Sequence, residues 1–76
     1  MKIIVYSTPT CPFCKHVKEF LDSHRIDYAD IDVSADKNEA EKMIKKSGQM
    51  GVPVIDIDGE IVIGFDKKKL KDLLGI

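Results

Sequence analysis

Apolar side chains recur along this chain at two spacings, one typical of strands and one typical of helices. Ile3, Ile4 and Val5 form a short continuous apolar run, as expected of a strand that is buried on both faces. Further along, apolar residues recur at helical spacing among charged ones, namely Phe13, Val17, Phe20 and Leu21. The pattern therefore predicts a first strand followed by a first helix.

Two residues mark the start of that helix. Thr10 can act as its N-cap, because a threonine side chain accepts a hydrogen bond from the free N–H groups of a first turn. Pro12 is tolerated in the first turn, where its missing N–H would have no partner anyway. The helix should end near His24 and Arg25. Residues 28–33 (YADIDV) then predict a second strand, and the helical crossover predicts that it runs parallel to the first.

The second half of the chain predicts another helix, a hairpin and a final helix. Asp36 can cap a helix that runs to about Lys46, with Glu39 placed as in a capping box. Its buried stripe would be Ala40, Met43 and Ile44, and Gly48 and Gly51 would end it. Residues 54–57 and 60–63 are apolar runs around Asp58-Gly59, a strong hairpin signal.

Asp66 can cap the last helix, which would bury Leu70, Leu73 and Leu74 and expose most of its lysines. The element order is therefore βαβ-α-ββ-α. This order predicts an α/β fold in which three helices cover the faces of a mixed, four-stranded sheet.

Composition and charge limit the possible functions. With 76 residues the chain is long enough for one small domain, residues 1–76, and its 43% hydrophobic and 33% charged residues are typical of a globular protein. A net charge of −1 gives no reason to expect nucleic acid or a membrane surface as a partner. No signal peptide is recognisable at the N-terminus, so we expect a cytoplasmic protein, in which a permanent structural disulfide is disfavoured.

The two cysteines, Cys11 and Cys14, are the main candidates for chemistry, and three kinds of site compete. A c-type haem attachment site needs a histidine directly after the second cysteine, whereas this chain has Lys15. A zinc site normally needs four ligands, and the histidines, His16 and His24, lie on the same predicted helix as the cysteines. A redox dithiol needs only the cysteine pair, a helix N-terminus and a nearby βαβ unit. We therefore favour a redox pair, with structural or metal-binding roles as the alternatives.

The predicted position of the pair also suggests an order of reaction. Only about 3% of a thiol with an ordinary pKa of about 8.5 is ionised at pH 7, and thiolate is the attacking species. The helix dipole alone is too weak to raise this ionised fraction much. Free N–H groups of the first turn must therefore donate hydrogen bonds to the sulfur. Cys11, at the start of the helix, is predicted to attack, and Cys14, one turn further in, to resolve the mixed disulfide. Pro12 would stiffen the loop and Phe13 would offer an apolar surface.

Three motifs together resemble the glutaredoxin family of the thioredoxin superfamily: C-P-F-C after a strand, G-V-P before a hairpin and G-F-D before the last helix. The resemblance covers essentially the whole chain. It implies a thioredoxin fold and a monomeric, glutathione-dependent thiol–disulfide oxidoreductase that serves electron transport and cell redox homeostasis. It implies glutathione as co-substrate and no bound cofactor or metal.

The resemblance also implies that the Val52–Pro53 peptide bond is cis and faces the cysteines. The N–H and C=O of Val52 would then pair with an extended peptide or with glutathione, as an added strand does. From position alone, a trans proline at the start of an edge strand is an equal alternative.

For glutathione itself, the resemblance implies that Gly64, Phe65 and Asp66 hold its γ-glutamyl end, whereas the pattern by itself favours Asp66 as a simple N-cap. Thr8 stands where glutaredoxins often have a lysine or arginine for the glycyl carboxylate. Lys15 is a candidate to compensate. The remaining departures from the family pattern are Phe13 for tyrosine and Ile63 for a second glycine, and Gln49 is a further candidate to compensate.

The expected activity is reduction of protein disulfides or glutathione mixed disulfides. The chain also resembles short NrdH-like redoxins, which implies an alternative in which thioredoxin reductase is the electron donor and ribonucleotide reductase or a similar reductase the acceptor. A third alternative is a binding protein that holds an iron–sulfur cluster between two chains with the help of glutathione.

Overall fold

The helical and strand-like segments of the sequence form the elements that their spacing predicts. The computed structural model describes residues 2–76. Their elements are β1 (Ile3–Ser7), α1 (Pro12–Ser23), β2 (Ala29–Asp32), α2 (Lys37–Ser47), β3 (Val54–Ile57), β4 (Glu60–Ile63) and α3 (Lys67–Leu74). None of the helices in this described part has the length and apolar character needed to cross a bilayer.

The strands form one mixed sheet in the order β2-β1-β3-β4. β1 runs parallel to β2 and antiparallel to β3, so Val5 lies between Asp30 on one side and Ile55 on the other. β3 and β4 form the predicted hairpin, in which Asp58 and Gly59 both have positive φ angles, 50° and 92°. The predicted α/β fold, with four strands and three helices, is thus confirmed.

Helices cover both faces of the sheet, which leaves the central strands buried. On one face, α1 and α3 place Val17 and Leu70 against Val5 and Ile55, and all four side chains are fully buried. On the other face, α2 packs Met43 against a second, smaller cluster that contains Tyr6 and Val54. Each such side chain contributes about 1.5–3 kcal/mol on burial, so the core fixes the end of β1 and the start of α1 relative to β3.

One prediction about the first helix was wrong. The N-cap of α1 is Cys11, not Thr10, because the backbone of Cys11 is extended and its Sγ accepts the hydrogen bond from the N–H of Cys14. Thr10 instead lies in the turn before the helix, where the N–H of Cys11 donates to the carbonyl of Thr8. Pro12 is the first helical residue, as predicted.

The caps of the other helices agree with the sequence, with one exception. The carboxylate of Asp36 accepts hydrogen bonds from the N–H groups of Asn38 and Glu39 at the start of α2. The side chain of Glu39 bonds Lys42 rather than completing a capping box. The αL residue Gly48 ends the helix.

Candidate active site

Cys11 and Cys14 lie where β1 ends and α1 begins, and their surroundings differ sharply. Both are free thiols. Cys11 is partly exposed at the N-cap, whereas Cys14, one turn into the helix, is only 1% exposed. A substrate disulfide can therefore reach Cys11 directly, while Cys14 is shielded behind it.

The sulfur of Cys11 contacts two different parts of the chain. The N–H of Cys14 donates to Cys11 Sγ at 3.3 Å, so a donor of the first helical turn points at the sulfur. The thiol of Cys11 also lies 3.7 Å from the carbonyl oxygen of Val52, which precedes β3. The sulfur that we expect to attack disulfides thus lies between an N–H donor of the helix and a backbone carbonyl of the loop before β3.

The loop before β3 completes this side of the site. The Val52–Pro53 peptide bond is cis, as the resemblance implies, and the alternative of a trans proline is wrong. Pro53 is buried, and its carbonyl accepts a hydrogen bond of 2.9 Å from the N–H of Gly64. This bond ties the loop of Val52 to the segment that leads into α3, so both segments lie beside the cysteines.

Cys14 is held as a thiol. Burial, together with its hydrogen bond to Cys11, raises the pKa of Cys14 to about 11, although the backbone N–H of Thr8 and the positive charge of Lys18 act in the opposite direction. A thiol with this pKa is almost fully protonated at pH 7. Cys14 can therefore act only after it loses a proton, which fits the resolving role predicted for it.

The other predicted site residues line the open side of the pair. Phe13, between the cysteines, is 60% exposed, and its ring lies 6.1 Å from that of His16. His16 in turn stacks on Phe65 with ring centroids 6.0 Å apart. Phe65 is thus brought to the helix of the cysteines, a contact that the sequence pattern did not predict because it joins α1 to the segment before α3.

The polar residues predicted to bind glutathione have more varied surroundings. Asp66 caps α3, since its carboxylate accepts the N–H of Lys69 at 3.2 Å. Thr8 is half-buried beside the cysteines, and Lys15 is exposed on the first turn of α1. The amide of Gln49 is already engaged on both sides by the backbone of Gly51, so it does not project toward a ligand.

Sequence reasoning missed a polar cluster between α1 and the sheet, formed by Lys18, Asp30 and Ser7. Lys18 Nζ lies 2.8 Å from one carboxylate oxygen of Asp30, and the hydroxyl of Ser7 donates to the other at 2.8 Å. The spacing of Lys18 one turn after Cys14 was the available signal. Its partner could not be found this way, because Asp30 reaches it only through the pairing of β1 with β2.

One cavity among the described residues does not include the cysteines. It measures about 360 Å³ and is lined by Lys2, Ile4, Lys46, Asp56, Asp58 and Gly59, on the α2 face of the sheet. The candidate active site is instead the partly exposed surface around Cys11.

Comparison with known proteins gives consistent matches over the length of the chain. The family model described as Glutaredoxin matches residues 3–62. A glutaredoxin-like 8.6 kDa protein of the rubredoxin operon of Clostridium pasteurianum is 51% identical, over 95% of this chain and 96% of that protein. Glutaredoxin 3 of Escherichia coli K12 is 32% identical, over 93% of this chain and 86% of that protein.

Among solved structures, a crystal structure of a variant of the thioredoxin-like protein BC3987 matches with a TM-score of 0.93 at 40% identity. The match covers 99% of this chain and 96% of that one. The sheet order and the helix at the cysteines are therefore shared with a protein of known structure.

Proposed function

Because this chain belongs to the glutaredoxin family and has its thioredoxin fold, we propose that it is a dithiol thiol–disulfide oxidoreductase that reduces protein disulfides and glutathione mixed disulfides. The unequal environments of its two thiols support this function most directly. Cys11 is accessible and receives an N–H donor, while Cys14 is buried and protonated.

The first step is attack on the substrate. The thiolate of Cys11 displaces one sulfur of the substrate disulfide, which leaves as a thiolate and takes up a proton. A mixed disulfide between Cys11 and the other substrate sulfur remains. The helical N–H of Cys14 stabilises the negative charge on Cys11 before attack.

The second step is resolution. Cys14 loses its proton and attacks the sulfur of Cys11, which breaks the mixed disulfide and releases the substrate as a second thiol. The products are a Cys11–Cys14 disulfide and a fully reduced substrate, so two electrons have passed to the substrate. Two molecules of a thiol donor, or one reductase dithiol, then restore the cysteines.

Val52 is proposed to orient the substrate in both steps. Its backbone lies next to the sulfur of Cys11 and carries the N–H and C=O groups that an extended peptide can bond. Such pairing would place a disulfide of a peptide or of glutathione against Cys11.

The order of the two thiols is tested by replacing each in turn. We expect Cys11→Ser to abolish reduction of a glutathione mixed disulfide, because it removes the accessible nucleophile. Cys14→Ser should keep part of that activity, because external glutathione can resolve the mixed disulfide. Equal loss in both variants would instead mean that only a dithiol route operates.

We propose glutathione as the electron donor, held at Gly64, Phe65 and Asp66, with thioredoxin reductase as the alternative donor. The position of Phe65 beside α1 supports glutathione. Thr8 and Phe13 lack the groups that would add glutathione contacts, which favours thioredoxin reductase. In the alternative, the chain would pass electrons to ribonucleotide reductase or a similar enzyme.

A coupled assay distinguishes the donors. NADPH oxidation is followed with a disulfide substrate, once with glutathione and glutathione reductase and once with thioredoxin reductase alone. We expect turnover in the first assay, and Asp66→Ala to raise the KM for glutathione. Turnover only in the second would reassign the donor and leave the thiol chemistry intact.

A further inference from the structure

The polar cluster of Lys18, Asp30 and Ser7 lies next to Cys14 but has no part in the chemistry described so far. We propose that Lys18 is a positioning residue for the resolving step, an inference that rests on the proposed dithiol function. Its ammonium group, anchored by Asp30 and Ser7, stabilises the negative charge that Cys14 acquires when it attacks the mixed disulfide.

Helix geometry directs Lys18 toward Cys14. Residues one turn apart lie on the same face of an α-helix, and their side chains lean toward the N-terminus of the helix. The side chain of Lys18 is only 27% exposed, so it lies along the protein surface beneath the first turn rather than extending into solvent.

The ammonium group is anchored from the sheet. Asp30 lies on β2 opposite Val5, and its carboxylate binds Lys18 with one oxygen and the hydroxyl of Ser7 with the other, both at 2.8 Å. Ser7 is 2% exposed and directly precedes Thr8, whose backbone N–H acts on the thiol of Cys14. The anchor and the resolving thiol are thus attached to the same end of β1.

The charges that surround Cys14 leave Lys18 as the cation that acts on it. Burial and the sulfur of Cys11 disfavour ionisation of Cys14, whereas the N–H of Thr8 and the charge of Lys18 favour it. From the neighbouring strand β2, Asp30 and Asp32 face the ammonium group of Lys18. Once Cys11 is bound in a mixed disulfide it carries no negative charge, so burial is then opposed by the N–H of Thr8 and by Lys18, whose ammonium group is the side-chain charge that favours ionisation.

This role affects only one of the two steps. The rate of resolution follows the small fraction of Cys14 that is ionised, and a rise of one pKa unit lowers that fraction tenfold. The attack by Cys11 precedes it and does not require Cys14 to ionise. A residue that merely supports the fold would instead affect both steps together.

An aromatic disulfide that releases two coloured thiols separates these steps in a stopped-flow experiment. The first coloured thiol reports attack by Cys11 and the second reports resolution by Cys14. For Lys18→Met at pH 7 we expect the second phase to slow by about 3- to 10-fold, as loss of one nearby charge at intermediate dielectric predicts. The first phase should stay within about twofold of the unmodified protein.

Further variants and the pH profile complete the test. Lys18→Gln should behave as Lys18→Met does, Lys18→Arg should restore the second phase, and Lys42→Met, which removes an exposed lysine of α2, should change neither phase. The pH midpoint of the second phase should move upward in Lys18→Met and Lys18→Gln alone.

Three results would overturn the inference: an unchanged second phase, an equal slowing of both phases, or failure of Lys18→Arg to restore the rate. If the unmodified protein itself released only one coloured thiol, the dithiol function would be wrong instead. The two failures are therefore distinguishable.

Discussion

At the scale of single residues, two identical side chains three positions apart have different chemistry because one is a helix cap and the other is core. Cys11 takes the place of an oxygen-containing cap and accepts an N–H donor with its sulfur. Cys14 is part of the first turn and is buried. Burial disfavours the charged form of a thiol, so the fold gives the two sulfurs different environments, as their proposed attacking and resolving roles require.

This difference predicts unequal alkylation. We expect iodoacetamide at pH 7–8 to modify Cys11 and leave Cys14 unmodified, because the pKa of Cys14 is raised to about 11 by burial and its bond to Cys11. Mass spectrometry of the digested protein would locate the label.

The Cys11→Ser variant provides the control for that experiment. Burial persists in it, so alkylation of Cys14 should stay slow until the pH exceeds the ordinary thiol pKa of about 8.5. Rapid labelling of Cys14 at pH 7 would show that burial does not hold it as a thiol.

At the scale of elements, α2 is joined to the sheet by a polar contact as well as by Met43. Lys46 Nζ donates to Asp56 on β3 at 2.8 Å and to the hydroxyl of Tyr6 on β1 at 2.8 Å. The bond to Asp56, together with that to Tyr6, raises the pKa of Lys46. Burial acts to raise the pKa of Asp56. The net effect is nevertheless a lowered pKa, because Asp56 accepts hydrogen bonds from Lys46 and Gly59 and lies near the positive charge of Lys46. The contact therefore orients α2 across two central strands.

The lowered pKa of Asp56 makes the free energy of unfolding depend on pH in the acidic range. Because the pKa is lower in the folded than in the unfolded protein, the stabilisation is present above about pH 4 and is lost as the pH falls through the folded value. Asp56→Ala should lower the free energy of unfolding at pH 7 by about 1.5–3 kcal/mol and weaken its decline below pH 4. Urea denaturation followed across this pH range measures both effects.

The ion pair of Glu39 and Lys42 on the same helix, in which Lys42 is 62% exposed, supplies the comparison. Glu39→Ala should change the free energy of unfolding by no more than about 0.5 kcal/mol. Similar losses from Asp56→Ala and Glu39→Ala would mean that the contact between α2 and the sheet carries no special stability.

At the scale of the whole molecule, the site is an open corner where three segments meet: the β1–α1 turn, the loop of Val52 and the segment before α3. Phe13, between the cysteines, and Met50, two residues before Val52, are exposed apolar side chains, at 60% and 79%. A surface of this shape can accept a disulfide within a larger protein as well as a small peptide.

The iron–sulfur alternative has a test of its own. A cluster is normally held by four thiolates. Cys14 is buried, so each of two chains would offer Cys11, and glutathione would supply the remaining thiolates. We expect freshly purified protein to be colourless in the visible region and monomeric by size-exclusion chromatography, whereas a brown dimer that bleaches on loss of glutathione would support the alternative.

Periodicity and capping chemistry, both local properties, were enough to predict the elements of this protein and the place of its cysteines. The apolar spacing of α1 and the Asp58-Gly59 turn depend on neighbours along the chain, so the sequence alone determined them. The sequence did not predict that Cys11 rather than Thr10 is the N-cap, because this depends on how the turn after β1 closes.

The tertiary structure decided what surrounds the two sulfurs. Val52 meets Cys11 from a position 41 residues away, and Asp30 reaches Lys18 only through the register of β2 against β1. Burial and charge act through space rather than along the chain. The pair of thiols could therefore be recognised from the sequence, but the difference in burial on which their proposed roles rest arises only when the sheet and α1 pack together.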